Sequence, residues 1–132
     1  MNFKTMLDVG TYFGSLVSKM NKIGIDAWGI ESDQRMVNLA VTKKIECRYF
    51  DENYKPKKKF DLICLTQMLY YMRNNFSILE HTRDILSDNG LIFIATTNPE
   101  SPYLKNELKS VFQGPGTNMV LSRQNFKSLE KK

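Results

Sequence analysis

A chain of 132 residues, 42% apolar and 25% charged, has the length and balance of one ordinary globular domain, able to bury a core without disulfide or metal staples. Its net charge of +5 (19 Lys and Arg against 14 Asp and Glu) favours anionic contacts but does not by itself signal nucleic-acid binding. No stretch approaches the ~18 apolar residues of a membrane helix, no signal-peptide core opens the chain, and two cysteines with one histidine give no metal-ligand spacing, so a reduced cytoplasmic setting without membrane span or metal is expected.

The elements alternate. Phe3 to Val9 is short, apolar and followed at once by glycine, which predicts a first strand. From Gly14 to Ile23 the apolar positions Leu16, Val17, Met20 and Ile23 form the stripe of an amphipathic helix, ended by Gly24. Ile25 to Ile30 reads as a second strand. Ser32 is a good N-cap for the next helix, with Asp33 in its first turn and Met36, Val37, Leu39 and Ala40 on its buried face. Ile45 to Phe50 predicts a third strand, and Lys55-Pro56-Lys57-Lys58-Lys59 a solvated turn.

Phe60 to Leu65 is nearly continuous apolar, as expected of a strand covered on both faces. Ser77-Ile78-Leu79-Glu80 has capping-box spacing, and Ile78, Leu79, Thr82, Ile85 and Leu86 continue a helical face. Asn89-Gly90 closes that helix, in preference to a hairpin turn, and Leu91 to Thr96 is a fifth strand. Cys47 and Cys64 fall inside strands and are expected as buried free thiols, and His81 as a packing or surface residue of the last helix. Strands alternating with helices imply an α/β fold with a parallel sheet between two helical layers, and ligands in such sheets bind beyond the carboxyl ends of the strands.

The loops after the strands are therefore where chemistry is expected. The first is Leu7-Asp8-Val9-Gly10-Thr11-Tyr12-Phe13-Gly14, whose glycines permit a sharp turn and close approach of a ligand to main-chain amides at a helix start. Alone, such a loop also serves as a plain strand-to-helix turn. Glu31 directly follows the second strand, about 20 positions on, where a carboxylate can accept hydrogen bonds from two ribose hydroxyls.

Together these residues resemble the class I S-adenosylmethionine-dependent methyltransferases, whose first motif is acid-x-Gly-x-Gly-x-Gly. Asp8, Gly10 and Gly14 match it, and Tyr12 stands in place of the middle glycine. Ile25 to Glu31 is similar to the family's second strand with its ribose-binding acid, Phe60 to Leu65 to the fourth strand, and Ile85 to Ile94 to the following helix, turn and fifth strand. Thr96-Thr97-Asn98-Pro99 and residues 120–129 loosely resemble the small methyltransferases of sugar and lipid biosynthesis.

The resemblance implies a Rossmann-like three-layer sandwich with strand order 3-2-1-4-5, S-adenosylmethionine as cofactor, and methyl transfer to a small-molecule acceptor. It also implies roles. Asp8, Gly10, Thr11, Tyr12 and Gly14 would face the methionine and ribose portions, Glu31 and Ser32 the ribose hydroxyls, Asp51 the adenine, and Thr66 the methionine end. Residues 1–132 read as one domain, shorter than the family at both ends and without its last two strands, which leaves a sheet edge open to self-association.

Two departures stand out. The Tyr12 ring either points away from the cleft or partly fills it. After the fourth strand, where related enzymes often carry a Glu-His pair, the chain reads Met68-Leu69-Tyr70-Tyr71, which removes the obvious general base; methyl transfer by proximity and orientation does not need one. The alternative reading is a non-catalytic module that keeps the fold with weak or lost cofactor binding. A nicotinamide-dependent oxidoreductase fits less well, because Gly10 to Gly14 lacks the central glycine of Gly-x-Gly-x-x-Gly. RNA methylation lacks an aromatic-basic recognition motif.

Overall fold

A computed structural model of the chain describes residues 3–50, 56–71 and 75–98. Among these, five strands form one sheet: β1 (Thr5–Val9), β2 (Asp26–Glu31), β3 (Cys47–Tyr49), β4 (Phe60–Thr66) and β5 (Leu86–Ala95), in the order β3-β2-β1-β4-β5. Every pairing is parallel. The expected order is thus the observed one.

Three helices connect them: α1 (Ser15–Lys22), α2 (Gln34–Thr42) and α3 (Asn75–Asp84), with a short 3-10 turn at Leu69–Tyr71 after β4. Val17 of α1 packs with Met6, Ala27 and Cys64 on one face of the sheet, where Val37 and Ala40 of α2 close over Cys47. Ile78 of α3 packs with Leu7, Val9, Ile30, Phe60, Ile63 and Leu65 on the opposite face. Alternate residues of β1 thus feed opposite cores, the period of a strand covered on both sides. Phe60, fully buried at the start of β4, meets Trp28 edge-on with ring centroids 6.0 Å apart. Truncation of Phe60 to alanine would cost about 3–5 kcal/mol.

At the amino ends of the strands Asp61 ties three elements together. Its carboxylate accepts the N–H groups of Lys4 (2.9 Å) and Thr5 (3.1 Å) and the hydroxyl of Ser87 (3.0 Å). Those bonds, the Lys4 amide first, hold its carboxyl below the usual range. Asp61 is therefore a structural fastener at the end of the sheet remote from the β1–α1 turn.

Four local expectations are corrected. The N-cap of α2 is Asp33, whose carboxylate accepts the Arg35 N–H at 2.9 Å, and not Ser32. Helix α3 begins at Asn75, which places Ser77 inside the helix and not at its start. Asn89-Gly90 lies inside β5 and closes no helix: Phe60 N–H donates to Ile85 at 2.9 Å, and strand pairing starts at Leu86 with an irregularity opposite Phe60 and Leu62. Finally, Lys58 of the basic run is no solvated turn residue. It pairs with Asp26 and lies over the rings of Trp28 (4.7 Å) and Phe60 (5.5 Å), a cation–π placement in which its stem shields the aromatic pair.

Candidate functional site

The β1–α1 turn is built by three residues with left-handed backbone: Gly10 (φ 72°), Tyr12 (φ 57°) and Gly14 (φ 80°). Gly14 is the N-cap of α1, and a Cβ there would stand 2.6 Å from Ile45, so both the turn and the packing demand glycine. Tyr12 adopts a left-handed conformation that favours glycine; its ring is exposed and tilts against Phe13 at 5.0 Å. The ring is not drawn into the protein interior.

The turn is fastened to the end of β2. The N–H groups of Gly10 (2.8 Å) and Thr11 (3.1 Å) both donate to the Ile30 carbonyl, and the Thr11 side chain is buried against Gly29, where no Cβ could fit. The Tyr12 N–H donates to Glu31 Oε2 at 2.9 Å. Glu31 Oε1 in turn accepts the N–H groups of Ser32 (2.8 Å) and Asp33 (3.1 Å), at the start of α2. Amides expected to face a ligand are therefore engaged within the protein, and Glu31 is the hub of the two loops. Its Oε2 takes one strong donor and keeps acceptor capacity for another.

Asp8 lies beneath this turn. It is 5% exposed, and burial first of all pushes its carboxyl up to about 6, opposed by the nearby Thr11 hydroxyl and reinforced by the nearby Glu31 charge. Asp8 thus sits behind the loop, in contact with its backing and not at its surface. On the other side of β1, Thr66 ends β4 beside Ala95 and is exposed. The following Gln67, also left-handed (φ 56°), donates its N–H to Ala95 at 2.7 Å and accepts the Thr97 hydroxyl at 3.2 Å. Met68 then lies against Gly10, which brings the β4 loop onto the β1 loop.

Of the sequence-predicted residues, Gly10, Thr11, Tyr12, Gly14, Glu31 and Ser32 converge at the carboxyl ends of β1 and β2, with Asp8 behind and Thr66 across. Asp51 lies outside the described residues, as do Pro99 and residues 120–129. Met68 and Gln67 join the site without a sequence signal. Nothing local marks them, because their positions depend on the β4 and β5 ends. His81 has its Nε2 buried with no hydrogen-bond partner among the described residues, in keeping with a packing role. Tyr71 is about half exposed and does not join the core. No group of three or more metal-ligating side chains occurs among the described residues.

In this sheet β1 is flanked by β2 and β4, and the connections leave in opposite directions from it. The crevice between the β1 and β4 ends is the switch point at which open α/β sheets bind ligands. A family model described as a methyltransferase domain matches residues 2–129. The chain belongs to this methyltransferase-domain family. It is 28% identical over 100 residues to a ubiquinone biosynthesis O-methyltransferase from Pelagibacter ubique, a match covering 70% of this chain and 42% of that protein.

Among solved structures, a SAM-dependent methyltransferase from Archaeoglobus fulgidus superposes with a TM-score of 0.81 at 18% identity, over 97% of this chain and 59% of the other. The plantazolicin methyltransferase BpumL, solved with a monoazolic desmethylPZN analog and SAH, superposes with a TM-score of 0.80 at 21% identity, over 98% and 55%. These similarities establish the methyltransferase fold. The chain spans roughly half the length of each of these relatives. No helix among the described residues is long and apolar enough to cross a membrane.

Proposed function

We propose that the chain binds S-adenosylmethionine in the crevice at the carboxyl ends of β1, β2 and β4 and directs its methyl group to a small-molecule acceptor. The observation that carries this reading is the junction of the glycine turn with Glu31 at the switch point of a 3-2-1-4-5 parallel sheet, in a chain of the methyltransferase-domain family. The residues present fit the cofactor: Glu31 is partly exposed, and its Oε2 is able to accept a ribose hydroxyl in addition to the Tyr12 N–H.

In this reading Glu31 holds the ribose diol, with Ser32 beside it. Gly10, Thr11, Tyr12 and Gly14 form the turn facing the ribose and methionine portions. Thr66 borders the methionine end. Asp8 acts from behind, through its carboxyl buried under the turn. When bound, S-adenosylmethionine supplies an electrophilic methyl group on a sulfonium. The protein contributes position and orientation, and the acceptor is an already nucleophilic group, since the segment Gln67 to Tyr71 after β4 carries no Glu-His pair.

The relative named for ubiquinone biosynthesis supports an acceptor oxygen on a small molecule, in line with the sugar and lipid subgroup. Buried free cysteines agree with a cytoplasmic setting. Among the described residues β5 is one edge of the sheet, with Leu91 and Phe93 exposed, and is the edge proposed for self-association.

A non-catalytic module with weakened cofactor binding is the second reading, favoured by Met68, whose side chain covers Gly10. Calorimetric titration with S-adenosylmethionine, S-adenosylhomocysteine and NAD separates the readings. Dissociation constants in the micromolar range for the first two, and no heat with NAD, are expected. Silence at millimolar S-adenosylhomocysteine overturns the cofactor assignment, and binding of NAD alone overturns the methyltransferase one.

A further inference from the structure

The face of Gly10 turned toward β4 is covered by a side chain of the protein itself. A Cβ at Gly10 would stand 1.9 Å from Met68 Sδ, 2.5 Å from Cγ and 2.8 Å from Cε, so the thioether rests on the glycine with no gap between them. Because Met68 comes from the loop after β4, the surface it occupies is the wall of the β1–β4 crevice, where a ligand approaches the turn.

The main chain on both sides of Met68 is held. Gln67 is anchored to the end of β5 through its N–H and its side chain, the Met68 carbonyl accepts the Tyr71 N–H at 3.0 Å, and Leu69 is sunk in the core at 1% exposure. The side chain is different. Met68 is only partly buried, and an unbranched thioether moves between rotamers at low cost.

We propose that Met68 is a movable wall of the cofactor crevice, with its side chain seated on Gly10 in the free protein and withdrawn when a sulfonium or thioether nucleoside binds. This rests on the cofactor reading above and adds to it a residue that sets affinity. Ligand and thioether compete for the same surface, so apparent affinity is lowered by the fraction of molecules in which Met68 is seated. The pinned backbone returns the side chain to the same place after release. The same contact that favours a silent module is, in this view, a displaceable one.

The experiment uses the full chain and S-adenosylhomocysteine as probe. Methionine methyl groups are labelled with carbon-13, and the Met68 resonance is identified by its loss in Met68→Leu. In the parent protein that resonance is expected to move on titration, toward the position of a solvent-exposed methionine. Met68→Ala is expected to bind the probe about five-fold more tightly, as removal of a competing seated state requires. Binding by Met68→Ala with no binding by the parent supports the proposal in its strongest form. Binding by the parent with a stationary Met68 resonance overturns it, as does a folded Met68→Ala with equal or weaker affinity. If neither protein binds and no resonance moves, the cofactor reading itself fails.

Discussion

Glu31 Oε2 accepts the backbone N–H of Tyr12 at 2.9 Å, so the carboxylate at the end of β2 holds the glycine turn at the end of β1. Its other oxygen holds the start of α2 through Ser32 and Asp33. One side chain therefore positions two loops and, in the proposed function, also meets the ligand. This dual use changes what its removal should do.

Glu31→Ala is expected to lower affinity for S-adenosylhomocysteine at least ten-fold and also to loosen the turn. Loss of hydrogen bonds to a charged acceptor costs about 1.5–3 kcal/mol, part of it in the free protein. Glu31→Gln, which keeps one carbonyl acceptor, should recover much of the stability and less of the affinity. Paired calorimetric titrations and thermal melts of the three proteins check this. Unchanged affinity in Glu31→Ala would reduce the residue to a loop fastener.

Asp8 makes stability depend on pH in the sense opposite to a salt-bridged carboxylate. Its folded pKa of about 6 lies above the ordinary value of 3.8, because burial disfavours the charged form. Below pH 3.8 both states carry the proton and Asp8 costs nothing. Between 3.8 and 6 the unfolded chain ionises first, so stability falls as pH rises; above 6 the penalty is constant at about 3 kcal/mol. Asp8→Asn should therefore raise the melting temperature at pH 7.5 and have little effect at pH 4. Melts across that range test it, and equal effects at both ends would show that Asp8 is not strained by burial.

The sheet order was legible because each strand ends in a turn signal and each helix carries a clear apolar stripe, which leaves few ways to wind the chain. The turn and Glu31 were legible for the same reason: their types and spacing are local. What escaped was set by distant pairing. Asn89-Gly90 reads as a helix stop, yet Phe60 draws Leu86 into the sheet ahead of it. Lys58 reads as solvated, yet Asp26, Trp28 and Phe60 collect it. Met68 reads as a missing base, yet it follows the left-handed Gln67 and lies against Gly10.

Cys47 and Cys64 should be unreactive in the folded protein. Burial pushes both thiols up to about 11, and nearby carboxylates add to it. They lie on β3 and β4 with β2 and β1 between, roughly 14 Å apart at ordinary strand spacing, too far for a disulfide. A chromogenic disulfide reagent at pH 8 should titrate almost no thiol in the native state and both in denaturant. Rapid native reaction would show that the sheet opens.

Tyr12→Gly separates the backbone role of this position from its ring. Tyrosine at φ 57° holds a left-handed conformation that costs an L-residue about 1–2 kcal/mol, whereas glycine pays only about 0.5–1 kcal/mol in added chain entropy. The substitution should therefore leave stability unchanged or raise it slightly, measured by denaturant midpoint. It also keeps the N–H that Glu31 holds, so the turn itself should persist. Only the ring is lost: exposed, leaning on Phe13 and beside the crevice, it is placed to close over a bound nucleoside. An aromatic contact of that kind is worth about 0.5–1.5 kcal/mol, so affinity for S-adenosylhomocysteine should fall about two- to ten-fold, with Tyr12→Phe close to the parent. Tighter binding by Tyr12→Gly would mean that the ring obstructs the site. Equal binding would confine Tyr12 to the turn, and a clear loss of stability would mean that its left-handed backbone is not strained after all.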